Sequence, residues 1–280
     1  MLPEGTLELL DRTLAEDIGD GDHTTLSTIA EGTHGGARLL VKEKGVLAGV
    51  ELAEAIAQRV DPGLHMKVLI RDGARVEPGE VAFTLAGPAR ALLLAERTLL
   101  NFMQRMSGIA TLTDRFVSAI AGTGCQVMDT RKTTPGLRAI EKWAVRIGGG
   151  RNHRTGLYDM VLIKDNHVDL AGGIKPALQA ARAYLEAKGL DLKVEIETRD
   201  LGEVEEALAH GGADRIMLDN FPLDLQRQAV ERIGRACETE ASGGITLETA
   251  RAHAETGVDF ISVGALTHSV PSLDLSLKAM

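Results

Sequence analysis

From Cys125 onward the sequence repeats a pattern that few folds can accommodate. Short apolar runs at 125–129, 160–164, 193–197, 215–219, 238–241 and 259–263 alternate with amphipathic stretches at 136–147, 173–188, 201–210, 222–236 and 246–256. The first are of strand length and the second carry helical periodicity. Strands separated by helices pair in parallel, because each crossover must return the chain to the same end of the sheet. The chain contains no dinucleotide-binding glycine fingerprint and no Walker loop. Six units of similar length therefore predict a closed or nearly closed α/β barrel rather than an open sheet.

The residues just past each strand are equally regular. In order they are Asp129/Arg131/Lys132, Lys164/Asp165, Glu197, Asp219/Asn220, Ser242-Gly243-Gly244 and Gly264. Every strand ends in charged, polar or glycine residues, and barrel active sites are built at the C-terminal rim. The charge is concentrated at the same place. From Asp129 to Asp165 eight basic residues face four acidic ones, a net of +4 inside a chain whose formal charge is −9. Such an island predicts a pocket for a small, multiply charged anion.

The acidic balance and an aromatic content of only 3% argue against nucleic acid as a partner. No run approaches the length of a membrane span. The N-terminus has no basic region followed by an apolar one. Cys125 and Cys237 form no CxxC and read as reduced thiols, which suits the cytoplasm. The eight histidines show no zinc spacing. No GxSxG elbow or Cys/His pair appears at the rim, so the expected chemistry is electrostatic positioning without a covalent enzyme nucleophile.

Individual residues suggest roles. Ser242-Gly243-Gly244 and Gly264 follow the last two strands, where barrels often hold phosphate on backbone N–H groups; the competing reading is that these glycines only make tight turns. Glu195 and Glu197 are two apart on one strand and point the same way, into the barrel. Glu197, nearer the mouth, is the better ligand, and Glu195 is expected lower, paired with a buried cation such as Lys132 or Lys164. Asp219 could join Glu197 in holding Mg²⁺ or ribose hydroxyls, or both could belong to a rim salt-bridge network. Arg131, Lys132, His153, Arg154 and Lys164 offer positive charge to a second anion. Arg138, Lys142 and Arg146 share one helical face, expected to be a solvated stripe, with Trp143 packing.

The first segment reads as an α+β unit with small strands. A helix is expected over 6–17, a hairpin within 37–50 around Lys42-Glu43-Lys44-Gly45, a helix from Leu52 to Val60, and strands near 66–70 and 81–85. The acidic loop Asp17–Asp22 reads as turns rather than a cation site. A long helical region spans roughly 88–122, with Ser107-Gly108 expected to break it and mark a domain boundary. The division is thus 1–106 for the first domain and 107–269 for the barrel, with a tail at 270–280 packing back on the first.

Three blocks, Asp-Thr-Arg-Lys-Thr-Thr-Pro-Gly-Leu-Arg (129–138), Gly-Gly-Gly-Arg-Asn-His-Arg-Thr-Gly-Leu (148–157) and Leu-Ile-Lys-Asp-Asn-His (162–167), resemble the quinolinate phosphoribosyltransferases. Matches at Glu96–Asn101, Ser107–Thr111, Val194–Glu197, Leu218–Phe221, Glu240–Ile245 and Leu273–Leu277 extend the resemblance over essentially the whole chain. It implies an N-terminal α/β sandwich followed by an incomplete α/β barrel. It also implies Mg²⁺-dependent conversion of quinolinate and phosphoribosyl pyrophosphate into nicotinate mononucleotide, pyrophosphate and CO₂, in NAD biosynthesis. By the same matching, Arg97, Arg131, Lys132, His153, Arg154 and Lys164 would bind quinolinate. Lys164, Glu197, Asp219, Ser242, Gly243, Gly244, Gly264 and His268 would take phosphoribosyl pyrophosphate, with Glu197 and Asp219 holding the metal. Lys132, Lys164, Glu197 and Asp219 would be catalytic. The resemblance further implies a homodimer, or a higher oligomer built from it, in which Arg97 enters the partner's site.

Two alternatives stand beside this reading. One is the molybdenum-transport-associated relative of the family, with the same fold and a different substrate. The other is a non-catalytic anion-binding protein that keeps the pocket. An open-sheet phosphoribosyltransferase is disfavoured, since no strand ends in two acids followed by a Thr-Gly phosphate loop.

Overall fold

A computed structural model describes residues 2–280. In chain order its helices are α1 (Thr6–Ile18), α2 (His23–Thr28), α3 (Val50–Val60), α4 (Ala89–Ala119), α5 (Arg138–Ile147), α6 (Asp165–Ala171), α7 (Ile174–Lys188), α8 (Leu201–His210), α9 (Leu223–Ile233), α10 (Leu247–Ala254) and α11 (Ala265–His268). The strands are β1 (His34–Val41), β2 (Gly45–Val46), β3 (His65–Val68), β4 (Arg75–Val76), β5 (Val81–Pro88), β6 (Gln126–Met128), β7 (Val161–Ile163), β8 (Val194–Thr198), β9 (Arg215–Asp219), β10 (Glu238–Ser242), β11 (Phe260–Ser262) and β12 (Leu275–Ala279). The chain forms two compact units. One comprises 1–114, 133–149 and 266–280; the other comprises 115–132 and 150–265.

In the first unit an antiparallel sheet runs β12-β1-β5-β3. Alternation along β1 buries Ala37, Leu39 and Val41, with Leu39 paired to Phe83 on one side and Leu277 on the other. One face of the strand therefore builds the core while the other stays polar. The hairpin expected within 37–50 is not formed. β1 pairs with β5 and the tail strand, and Gly45-Val46 pairs with Arg75-Val76 instead. Gly45 is a packing residue rather than a turn residue: a Cβ there would lie 2.5 Å from Thr111 Oγ1 and 2.6 Å from Leu273 Cδ1.

The helix α4 runs 31 residues without the expected break at Ser107-Gly108. Both small residues serve close approach. The Ser107 hydroxyl donates to Ala48 O at 3.1 Å and accepts the Ala48 N–H at 2.9 Å. A Cβ on Gly108 would lie 2.1 Å from the Pro271 carbonyl oxygen. The roughly 1 kcal/mol that glycine costs a helix interior is offset by letting backbone pack on backbone.

The stripe expected on α5 is not solvated either. Residues 140–145 are all buried, Lys142 and Trp143 included, and of the three stripe cations only Arg146 is fully exposed. Glu141 anchors this burial. Its Oε1 accepts from Arg105 Nη2 at 2.8 Å and its Oε2 from the Thr134 N–H at 3.1 Å. A charge with so many donors is tolerable where an unpaired one would not be.

The second unit is a parallel six-stranded sheet in the order β6-β11-β10-β9-β8-β7. Neighbours follow chain order around the sheet, with one opening between β6 and β7, which makes it an incomplete barrel. One bridge extends the β6 edge of that opening. Arg151 bridges to Met128 in parallel, its N–H donating to Val127 O at 2.8 Å and its carbonyl accepting the Asp129 N–H at 3.1 Å. Apolar and charged residues alternate along the strands. Val194, Ile196, Ile216, Leu218, Ala241 and Ile261 are buried on one side, with Glu195, Glu197, Arg215 and Glu240 between them on the other. The run at 238–241, expected to be apolar, is Glu-Thr-Glu-Ala.

Candidate active site

The register decides which side chains share the barrel interior. Glu195 pairs with Arg215 and Glu197 with Met217. Arg215 in turn pairs with Glu238, Met217 with Glu240, and Asp219 with Ser242. Leu162 faces Glu195 across β7 and β8, so Lys164 falls beside Glu197. Since strand side chains alternate, Lys164, Glu195, Glu197, Arg215, Asp219, Glu240 and Ser242 all point to one side. By register they form tiers, Glu195 and Arg215 lowest, Lys164, Glu197 and Glu240 next, Asp219 and Ser242 at the rim, with the Glu240 carboxyl reaching back to Arg215.

In the upper tier, Lys164 Nζ lies 3.2 Å from Glu197 Oε2. Lys164 ends β7, and its backbone N–H donates to His167 Nδ1 at 3.0 Å, one turn into α6. That bond explains why histidine closes the Lys-Asp-Asn-His motif, a role the sequence does not disclose. Glu197 is buried and Lys164 exposed, so the ammonium reaches the mouth while the carboxylate stays below.

In the lower tier, the cation beside Glu195 is neither Lys132 nor Lys164 but Arg215, from the start of the next strand. Arg215 Nη1 lies 3.0 Å from Glu240 Oε2 and 3.7 Å from Glu195 Oε2, and its guanidinium stacks 4.3 Å over the Phe260 ring. His153 Nε2 completes the cluster, 3.0 Å from Glu195 Oε2 and 3.5 Å from Glu240 Oε2. Burial pushes the carboxyl of Glu195 up to about 7, against the pull of Arg215. Burial and the neighbouring Glu195 push Glu240 up to about 8. Two carboxyls this close and this deep favour keeping a proton between them.

Three such groups within reach of one point would also suit a metal by proximity. The hydrogen bonds oppose it. Nδ1 of His153 accepts the Arg154 N–H at 2.7 Å, so the ring proton sits on Nε2, the atom a metal would need bare. Arg215 adds a fixed positive charge.

Asp129, fully buried at the end of β6, organises the loop that carries His153 and Arg154. Its Oδ1 accepts the His153 N–H at 2.8 Å and its Oδ2 accepts from Asn152 Nδ2 at 2.5 Å. Asp159 folds the next turn by accepting the N–H groups of Thr155 at 2.7 Å and Gly156 at 2.9 Å. Arg154 Nη1 donates to Met160 O at 3.4 Å. The Arg154 guanidinium is held below its ordinary value, first by burial and next by repulsion from Arg131. The charge of Arg131 thus bears on the half-buried Arg154. Such a pair is poised for an anion.

At the rim, Asp219 Oδ2 accepts from Asn220 Nδ2 at 2.8 Å. Ser242 leads into Gly243 and Gly244, with φ of +102° and +60°, and the turn runs on to the N-terminus of α10. Positive φ is where glycine is needed, and a helix N-terminus is where phosphate is favoured. Gly264 follows β11, half-buried. Lys132 is exposed, with its N–H donating to Thr130 Oγ1 at 3.0 Å. Arg97 and His268 belong to the first unit, and both are exposed, Arg97 on α4 and His268 with Nδ1 2.5 Å from Ser269 Oγ. Reading the sequence alone thus misses Arg215, Glu240 and His167 as parts of the constellation, and places Asn220 at the rim without a role. Arg215 opens its strand instead of ending it, and Glu240 lies inside its strand, two residues short of the rim.

Comparison with known proteins accords with this geometry. Residues 22–107 match the quinolinate phosphoribosyl transferase N-terminal domain and residues 109–278 its C-terminal domain. The chain is 50% identical over 280 residues to a chloroplastic carboxylating nicotinate-nucleotide pyrophosphorylase of Arabidopsis thaliana, covering 95% of this chain and 80% of that one. It is 45% identical over 272 residues to a probable carboxylating nicotinate-nucleotide pyrophosphorylase of Bacillus subtilis, covering 96% and 92%. A crystal structure of NadC from Streptococcus pyogenes superposes with a TM-score of 0.93 at 38% identity, covering 98% of this chain and 96% of that one.

Proposed function

The chain belongs to the quinolinate phosphoribosyltransferase family, and from that premise we propose how its own residues divide the reaction. It is a pentosyltransferase that joins quinolinate to the phosphoribosyl group of phosphoribosyl pyrophosphate. The products are nicotinate mononucleotide, pyrophosphate and CO₂, a step of NAD biosynthesis. The observation that supports the division of labour is the half-buried Arg154, on the loop that Asp129 holds and under the charge of Arg131, a repulsion that a doubly charged substrate would relieve.

Quinolinate carries two carboxylates on adjacent ring carbons. Arg131, Arg154, Lys132 and Lys164 would clamp them, guanidinium forks giving orientation and ammoniums giving charge. His153, with Nδ1 on the Arg154 N–H and Nε2 against Glu195, would set Arg154 rather than touch the substrate. The Ser242–Gly244 turn and Gly264 would take phosphate. Glu197 and Asp219 would lie along the ribose, where their charge stabilises the cation that develops at the anomeric carbon as pyrophosphate leaves. The pyridine nitrogen then bonds to that carbon. Once the ring nitrogen is cationic, the bond to the neighbouring carboxylate breaks, leaving its electron pair on the ring carbon beside N⁺ to take up a proton.

Glu197 and Asp219 offer carboxylate oxygens on one face, a donor set that fits a hard cation. They are the residues that would hold Mg²⁺, which when bound supplies charge neutralisation for the pyrophosphate. Arg97, exposed on α4, would complete the quinolinate clamp of a second copy of the chain in a homodimer. Among the described residues no helix is long and apolar enough to cross a membrane, and Cys125 and Cys237 are both free. The free thiols support the cytoplasm as the location.

The test is an assay of purified protein with quinolinate, phosphoribosyl pyrophosphate and Mg²⁺, following nicotinate mononucleotide, with nicotinate as control. Product from quinolinate alone is expected. Equal turnover of nicotinate would overturn the two-carboxylate clamp.

A further inference from the structure

We propose that Asn220 is a positioning residue that ties Asp219 and the Ser242–Gly244 turn into one rim; the proposal rests on the phosphoribosyl pyrophosphate roles given to those residues above. Among the described residues Asn220 is the one non-glycine with positive φ, 55°. The left-handed region crowds Cβ against the backbone, and asparagine tolerates it better than most residues but not without cost. Asn220 is also exposed, so no burial of its side chain compensates. Backbone strain of this kind persists where surrounding contacts hold it, and it gathers at functional sites.

Three contacts hold it here, and each leads to a residue of the rim. Its Nδ2 donates to Asp219 Oδ2 at 2.8 Å. Its backbone N–H donates to Ser242 O at 2.8 Å, continuing the β9–β10 ladder one residue past the strands. Its Oδ1 fills the space above Gly243, where a Cβ would lie 2.2 Å away. One side chain therefore fixes the direction of the Asp219 carboxylate and packs against the first glycine of the proposed phosphate turn. The amide orientation follows from chemistry: a carboxylate accepts, so the nitrogen must face Asp219. Gly243 is thereby required twice over, by its φ of +102° and by Asn220. The geometry makes the spacing between ribose ligand and phosphate ligand a property of Asn220.

Asn220→Gly tests this directly, because glycine keeps the left-handed backbone and removes only the amide. The KM for phosphoribosyl pyrophosphate should rise about tenfold, the loss expected for a hydrogen bond to a charged group. Quinolinate binding, followed by fluorescence or calorimetry, should be unchanged, and the thermal midpoint should not fall. Asn220→Asp should raise the same KM further, by placing a second carboxylate against Asp219. A double-mutant cycle supplies the contact-specific readout: Gly243→Ala should cost less activity in the Asn220→Gly background than in wild type. The strained alanine backbone is common to both backgrounds and cancels. Additive effects, or a wild-type KM in Asn220→Gly, would overturn the proposal. Asp219→Asn is the control. If it raises the same KM while Asn220→Gly does not, positioning by Asn220 fails alone; if it leaves that KM unchanged, the assignment of Asp219 fails and takes this proposal with it.

Discussion

His153 stands between two duties, its Nε2 3.0 Å from Glu195 Oε2 and its Nδ1 receiving the Arg154 backbone N–H at 2.7 Å. The ring is oriented from below by a buried acid and passes that orientation to the residue after it. A histidine in a basic motif reads naturally as one more cation, but this one spends both nitrogens inside the protein.

The first prediction comes from that geometry. Nitrogen-15 spectra should show His153 protonated at Nε2 and bare at Nδ1. His153→Ala should raise the quinolinate KM about tenfold, as expected when a charge-assisted clamp loses its support, while the KM for phosphoribosyl pyrophosphate stays put. A protonated Nδ1, or a change confined to the second substrate, would count against a role through Arg154.

The second concerns pH. Glu240 ordinarily titrates near 4.5 and is pushed up to about 8 in the folded protein by burial and by Glu195. Between these values the folded state keeps a proton that the unfolded chain has lost. Its contribution to stability is therefore full below about 4.5 and declines as pH rises through 8. Glu240→Gln should flatten this slope, so that its thermal midpoint gains a few degrees on the wild type between pH 6 and 9. Parallel curves for the two proteins would place the proton elsewhere.

A third prediction addresses the shared site. Arg97→Ala and Asp219→Asn should each lose most of their activity as pure proteins when phosphoribosyl pyrophosphate is kept well below its raised KM. If Arg97 serves the partner's pocket, unfolding and refolding an equal mixture should restore about a quarter of the wild-type rate, because half the dimers would hold one intact site. A mixture as inactive as its components would confine both residues to one chain.

Gly108 provides a fourth, within the first unit. Gly108→Ala brings a Cβ to 2.1 Å from the Pro271 carbonyl oxygen, and overpacking of this kind should cost about 3 kcal/mol in urea unfolding. An unchanged midpoint would mean that the Pro271 segment moves aside at no cost.

The sequence was most legible where periodicity and chain order coincide. Its six expected strands fall on β6 to β11, and the polar residue after each falls at the strand end, where barrel strands open to the mouth. It was least legible where a residue answers to a distant neighbour. Gly45 looks like a turn and Ser107-Gly108 like a helix break, yet both are small because Leu273 and Pro271 lie against them. Lys142 looks solvated by spacing and is buried. In the site, strand position puts Lys164 and Glu197 at the rim but points the lysine to Glu195 rather than to Glu197, and it gives no sign of Arg215. Arg215 begins its strand, and only the register across β8, β9 and β10 sets it between Glu195 and Glu238, from where its guanidinium also reaches Glu240.

The helix α5, which lies in sequence between the first two barrel strands, belongs to the first unit, as does the end of the chain. Neither unit is a continuous stretch of polypeptide, so neither can be cut out at one point and passed on. A gene fragment ending after α4 would lack β12, and one beginning there would carry α5 and β12 away from the unit they complete. A cut after α4 therefore leaves both units incomplete, and each depends on chain from the far side of that point.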